Sequence, residues 1–281
     1  MKEDQTKTPL AGGISKPHTG VSRRSFLTTV TVAGAASLMP LTLLAADKRD
    51  RDDDHVEDGL TKGDRDILIA AEIAEALAVT TYTNIIETAP FFTRLADDDQ
   101  GYLRAAREEE MSHYLLEQSV TAQPSPFTKF FYPQHMFDDA QTTLNTLVTL
   151  EDAFIAAYLV GVRRFSTANL RVTAARIMGI ESDHRTLARV VAPGVAAQDG
   201  GPIETVTGIQ GVAESVDPPN NNGYERTLQW TRIGQAVAAL TPFVDVNAAL
   251  AAGFDTSRSF AFDPFTPHLP SALGDFISFT G

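Results

Sequence analysis

The chain has 281 residues, 43% of them hydrophobic, a formal net charge of −13 at pH 7 and no cysteine. That is enough apolar material for a sizeable core in one large or two small domains. The lack of thiols excludes disulfides, thiolate metal sites and a cysteine lipid anchor. The acidic balance, with no basic cluster or Gly-rich phosphate loop to offset it, excludes nucleic acid as a partner.

Residues 1–46 read as a targeting segment. A polar, basic start leads to Ser22-Arg23-Arg24-Ser25-Phe26-Leu27, then to a mildly apolar run that ends at Leu44-Ala45-Ala46. This pattern resembles a twin-arginine signal peptide. The run is about long enough to span a bilayer, but Gly34, Pro40 and its threonines make it a poor permanent anchor. The expectation is a protein exported by the twin-arginine machinery to the periplasm or beyond, with no stable membrane anchor after cleavage. Cleavage removes five basic and two acidic residues and takes the charge from −13 to −16. Residues 47–63, with the run Asp47-Lys48-Arg49-Asp50-Arg51-Asp52-Asp53-Asp54, read as a solvated charged linker.

Four long helices are expected across residues 64–192. The first begins near Asp64 or Asp66, either of which can cap it, and stops before Pro90. The second starts in Asp97-Asp98-Asp99, where acidic residues suit the helix dipole, and runs to about Val120. The aromatic and Pro-rich stretch from Pro124 to Phe137 supplies the crossover, with His135 as a loop residue and room for a short extended segment. A third helix runs from near Asp138 to near Arg164; Ser166 can cap a fourth, which stops before Pro193-Gly194. Residues 193–281 form a C-terminal extension: a loop over 194–223, a fifth helix at about 224–241 ending before Pro242, a short helix near Val246–Ala252, and an irregular tail. The tail carries Phe254, Phe260, Phe262, Phe265, Phe276 and Phe279 and is expected to pack against its own bundle. The fold class is all-α.

Each of the four helices carries glutamate on an otherwise apolar face. Residues three, four and seven apart share a helix face. Glu75 lies within the stripe Leu68, Ala71, Ala78, Val79, Tyr82, Ile85, with Glu72 beside it. Glu110, His113 and Glu117 line up with Leu103, Ala106 and Tyr114. Glu151 lies among Leu147, Val148, Phe154, Ile155 and Tyr158; Glu181 and His184 lie among Ala174, Ile177, Met178 and Ala188. The chain order is thus Glu, Glu-x-x-His, Glu, Glu-x-x-His. Turned inward, four carboxylates and two imidazoles would meet in an apolar core, where unpaired charge is prohibitively costly. Cations are the simplest compensation, with iron or manganese suited to these ligand types and zinc a third option. Buried ion pairs are the alternative, with Arg107, one turn before Glu110, as a neutralising partner.

This order of motifs resembles the di-metal site of ferritin-like four-helix bundles. The segment Asp97–Gln118, Asp-Asp-Asp-Gln-Gly-Tyr-Leu-Arg-Ala-Ala-Arg-Glu-Glu-Glu-Met-Ser-His-Tyr-Leu-Leu-Glu-Gln, is similar to the second helix of exported bacterial ferritin-like proteins, themselves similar to plant desiccation-related proteins. The resemblance covers about residues 64–192. It implies two metal ions, iron first and manganese second, held by Glu75, Glu110, His113, Glu151, Glu181 and His184. Glu75 and Glu151 would each serve one ion, Glu110 and Glu181 would bridge, and each histidine would add one nitrogen. Tyr82, Tyr158, Glu72 and Glu117 are candidates for orienting those ligands. The implied activity is that of a di-metal carboxylate oxidoreductase, ferroxidase or peroxidase/catalase-like, with oxygen or peroxide as partner; a homo-oligomer is compatible with it. The rival expectation is a non-enzymatic structural or desiccation-protection protein that uses the bundle as a scaffold.

The export reading has a direct test. Replacing Arg23 and Arg24 together by lysine should leave the precursor in the cytoplasm, and mass spectrometry of the exported wild-type chain should find its start near Asp47. Unchanged export of the double variant would refute it.

Overall fold

The computed structural model describes residues 59–191 and 228–268. The expected export segment, nearly all of the expected linker, the expected loop over 194–223, Phe276 and Phe279 lie outside the described residues.

Helix α1 is Lys62–Thr88. Thr61, rather than Asp64 or Asp66, is its cap: the Thr61 hydroxyl accepts from Asp64 N at 3.1 Å. Asp64 sits three residues on and closes the capping box, accepting from Thr61 N at 3.2 Å and from its hydroxyl at 2.8 Å. The same buried carboxylate accepts from Ser166 N at 2.8 Å and from the Ser166 hydroxyl. Ser166 is thereby diverted from the capping role expected of it. Thr167 takes it instead, accepting from Leu170 N at 3.2 Å at the start of α4, Ala168–Val191. Asp64 therefore ties the start of α1 to the turn before α4.

Helix α2, Asp97–Thr121, begins on the three aspartates and ends at Ala122, whose φ of 57° is left-handed. Helix α3, Ala140–Arg164, is capped by Asp139, which accepts from Thr142 N at 2.6 Å. By length and a mean hydropathy of 1.3, α3 could cross a membrane, but 78% of its apolar window is buried inside the fold. Helix α1 packs with α2 and α3 with α4. Side-chain pairs set the directions: Tyr82 meets Glu151 while Tyr158 meets Glu75, so α1 and α3 run antiparallel.

The crossover from α2 to α3 runs along the bundle. Its strand β1, Lys129–Pro133, pairs antiparallel with β2, Phe254–Ala261, in the C-terminal extension, with an irregularity between Phe130 and Tyr132. Tyr132 fastens this two-stranded unit to the bundle, its hydroxyl 3.0 Å from the Thr81 hydroxyl. His135 is an exposed loop residue at φ 62°.

Helix α5, Ile233–Val244, begins later and ends later than its sequence pattern predicts. Residues 228–230 are irregular, and Gln235 Oε1 accepts from Thr231 N at 2.9 Å and Arg232 N at 3.2 Å, which sets the start. Pro242 lies inside the last turn rather than beyond it. There it forfeits one backbone hydrogen bond near an end that frays in any case. Helix α6, Val246–Ala251, follows directly, capped by Asp245.

The tail packs on its own bundle. Phe262 lies edge-on to Tyr114 at 4.8 Å, the Arg107 guanidinium stacks over Phe265 at 5.0 Å, and His268 N donates to Glu108 at 2.8 Å. Arg107 also lies 3.5 Å from Glu108 and 3.9 Å from Glu87. Its charge is thus spent on the outer face of α2 and not on Glu110.

Because Asp64 joins the start of α1 to the turn before α4, Asp64→Ala should cost roughly 2–3 kcal/mol, the range for losing charge-assisted bonds at a buried group. Thr61→Ala, which removes only the cap, should cost about 1 kcal/mol. Urea unfolding of the two variants checks the order; equal losses would mean that the link to Ser166 contributes nothing.

Candidate metal centre

The apolar stripes of α1 to α4 do turn inward, and Glu75, Glu110, Glu151 and Glu181 are each at most 1% exposed. Apolar clusters pack around them, the smaller one built on Leu60, Ile67, Leu68 and Phe165 near the start of α1. The six sequence-predicted residues form two groups that share Glu110 and Glu181. One holds Glu75, Glu110, His113 and Glu181; the other holds Glu110, Glu151, Glu181 and His184, with ligand-type atoms within 4.8 Å of one another in each.

The geometry is close to two-fold. His113 Nδ1 lies 3.4 Å from Glu110 Oε2, 3.2 Å from Glu181 Oε1 and 3.6 Å from Glu75 Oε2. His184 Nδ1 lies 3.0 Å from Glu110 Oε1 and 3.3 Å from Glu181 Oε2. Each shared glutamate thus offers one oxygen to each half. Glu75 Oε2, both oxygens of Glu110, His113 Nδ1, Glu151 Oε2 and Glu181 Oε1 are buried without an aligned hydrogen-bond partner. Orphaned acceptors in a core are rare and demand a reason. Their shared feature is that they face common space. Carboxylate oxygens with one imidazole nitrogen per half form a donor set that could hold iron or manganese.

The two tyrosines cross between helices. Tyr82 of α1 donates to Glu151 Oε1 of α3 at 2.8 Å, and Tyr158 of α3 donates to Glu75 of α1. Two turns of helix separate each tyrosine from its own glutamate, so a partner on the antiparallel neighbour is the nearer one. The bonds occupy the outer oxygens of Glu75 and Glu151 and leave the inner ones facing the centre. The Tyr82 ring also lies edge-on to His184 at 5.8 Å.

Electrostatics among the protein groups follow from burial. Burial drives Glu75 and Glu151 well above the ordinary carboxylate range, and the charges of Glu110 and Glu181 add to the shift. Burial acts the same way on Glu110, but the charge of His184 and the close approach of both imidazoles outweigh it and hold Glu110 low. Burial alone would lower both imidazoles; the surrounding carboxylates prevail and hold them well above the usual histidine range. Burial and the neighbouring glutamates push both phenols up, so each remains a neutral donor. Protons are therefore what balances the charge among the protein groups alone.

Glu117 and Glu72 are buried near the first half. Glu117 Oε1 lies 2.7 Å from the Tyr158 hydroxyl, and burial raises its pKa well above the ordinary range. Glu72 accepts from the Thr121 hydroxyl; burial pushes it up to about 7 against that bond. Sequence reasoning missed Glu109, whose carboxylate lies 2.8 Å from His184 Nε2. The run Glu108-Glu109-Glu110 was the available signal, but one step of helix turns Glu109 away from the ligand stripe, where it reads as a solvated charge. It also missed the buried pair Asp152–Arg185 at 3.0 Å, which joins α3 to α4. Among the described residues Arg185 is a buried guanidinium of this core, and Arg107 lies on its outer face.

A family model described as a ferritin-like domain matches residues 63–192, the span of α1 to α4. No curated protein and no solved structure matches the chain. Over those residues the all-α bundle has the ferritin-like fold.

The histidines differ in their backing: His184 has Glu109 on its far nitrogen, and a carboxylate there fixes the ring and raises ligand basicity. Glu109→Gln should therefore weaken cation binding at the His184 half by about 10–100-fold and leave the His113 half unchanged. Titration calorimetry resolves the two; a variant with both affinities unchanged would show that the contact does not orient the ring.

Proposed function

We propose that this ferritin-like domain holds two metal ions, iron first and manganese second, in an exported protein that performs redox chemistry with oxygen or peroxide, such as Fe(II) oxidation. The observation that carries the reading is the placement of Glu110 and Glu181, each with one oxygen toward each histidine. Glu75 and His113 would complete one site, Glu151 and His184 the other. Four carboxylates match the charge of two divalent cations, which relieves the desolvation cost of burying them. The ions would supply electron transfer to oxygen or peroxide.

The chain's own residues prepare the centre. Tyr82 and Tyr158 hold the outer oxygens of Glu151 and Glu75, so the inner oxygens need no reorganisation to meet a cation. Burial excludes bulk water, and the His113 side is the more open, with 12% of its side chain exposed against 4% for His184. The likeness of residues 1–46 to a twin-arginine signal supports export of the folded chain, a route that suits a bundle loaded with metal beforehand.

Two cations should bind per chain and release protons near neutral pH. The sign follows from the directions above: Glu75, Glu151 and both histidines are raised, so the protein alone keeps protons that a cation displaces. Calorimetry of chelator-treated protein in two buffers of different ionisation enthalpy counts cations and protons together. The melting temperature should rise with metal. Glu110→Gln should lower the stoichiometry without unfolding the bundle. Fe(II) oxidation in air, followed by absorbance, tests turnover: two bound metals without it would make the centre structural. No binding, with full stability in chelator, would refute the metal reading itself.

A further inference from the structure

The internal repeat is broken on one side. The spacing that carries Glu75 to Glu151 and Tyr82 to Tyr158 carries Glu72 to Val148; the spacing that carries Glu110 to Glu181 and His113 to His184 carries Glu117 to Ala188. Val148 and Ala188 are fully buried, ordinary core residues. The second half thus assembles its glutamates and histidine with apolar side chains where the first half buries two further carboxylates. Holding a cation does not require the extra pair, and burying it is costly.

The two carboxylates belong to a row with more acceptor oxygens than hydroxyl protons. The Tyr158 hydroxyl touches both Glu75 Oε1 and Glu117 Oε1 but has one proton to donate. The Thr121 hydroxyl faces Glu72 Oε1 and the carbonyls of Gln118 and Gln123, again with one proton. Glu72 Oε2 and Glu117 Oε2 are buried with no hydrogen-bond partner at all. Thr121 is the last residue of α2, and Ala122 and Gln123 beyond it are exposed. Arg65 holds this turn by donating to the Thr121 carbonyl at 3.2 Å. Glu117 lies one helical turn before Thr121, so the row runs from Glu75 past Glu117 to Thr121 and its partner Glu72 at the end of α2. It is lined by carboxylate, hydroxyl and carbonyl oxygens, the ligands that hard divalent cations accept.

We propose that Glu117, Glu72 and Thr121 form the route by which a partly hydrated divalent cation reaches the Glu75/His113 half from the turn after α2. This rests on the di-metal reading of the centre. The route passes the cation on rather than retaining it, because among the described residues neither carboxylate belongs to a group of three or more convergent His, Asp or Glu ligands.

The test is the rate of Co(II) uptake by the chelator-treated, full-length protein, followed by visible absorption in stopped flow, with bound cobalt counted at equilibrium. Glu72→Gln and Glu117→Gln keep an oxygen acceptor and the side-chain shape but remove the group that can ionise to meet a cation. Each should slow uptake by about tenfold or more, the scale on which charge focusing sets association rates, and leave two cobalt ions bound. Thr121→Val, which removes the hydroxyl at the surface end, should slow it as well. An unchanged rate in all three overturns the route. So does loss of one bound cobalt in Glu117→Gln, which would make Glu117 a ligand. Restoration of the variants' rate by a small weak acid such as acetic acid also overturns it, because that would mark a proton path. If Glu117→Gln does not fold, as judged by circular dichroism, Glu72→Gln decides the question. Wild-type protein that binds no cobalt overturns the metal reading and the route together; wild-type protein that binds two, beside unaffected variants, overturns the route alone.

Discussion

The structure depends on the burial of four glutamates in the middle of an apolar bundle. Removing a carboxylate from water costs several kcal/mol per ion even after relaxation, and no part of this core offers a guanidinium to each. Two histidines, two tyrosines and retained protons compensate among the protein groups. Every other polar commitment near the centre follows from that constraint. The phenols are displaced toward neutrality, the imidazoles toward charge, and Glu110 is kept ionised between them. A helix bundle tolerates such a layer only because apolar side chains pack around it and keep the four helices in place.

The two halves of the bundle share a plan but not a finish. Both bring Glu and Glu-x-x-His to the middle, as expected of two helix pairs related by a repeat. The second half is closed: His184 is backed by Glu109, its ring lies against Tyr82, and Asp152–Arg185 locks α3 to α4 beside it. The first half is looser: His113 is more exposed, and its surroundings include Glu117 and Glu72 with unsatisfied oxygens. Two halves built on one motif thereby differ in finish, one more enclosed and one more exposed.

The C-terminal extension reinforces the bundle from outside. Strand β2 completes a two-stranded unit with the crossover, and a cluster of Tyr132, Phe137, Phe243, Phe254 and Phe260 packs its rings largely edge to face. Beyond β2 the chain follows α2, where Phe262, Phe265 and the His268 backbone contact Tyr114, Arg107 and Glu108 in turn. The same contacts draw Arg107 outward, which leaves Glu110 to the histidines.

Sequence alone determined the four helices and the six residues that meet at the centre, because helical periodicity is local. A glutamate three, four or seven residues from apolar neighbours must share their face, and burying the face buries the charge. The turn signals likewise placed His135 in a loop. What needed the tertiary structure was everything that one helix does to another. The tyrosines cross to the opposite glutamates because α1 and α3 are antiparallel, and no single-helix pattern encodes that. Glu109 reaches His184 only because α4 passes beside α2, and Asp64 captures Ser166 only because the turn before α4 lies over the start of α1. The start of α5 was misplaced for a related reason: the Gln235 side chain competes for the backbone of Thr231 and Arg232, and the apolar pattern carries no sign of that contest. Spacing along one helix is written in the chain; contact between helices is decided by packing.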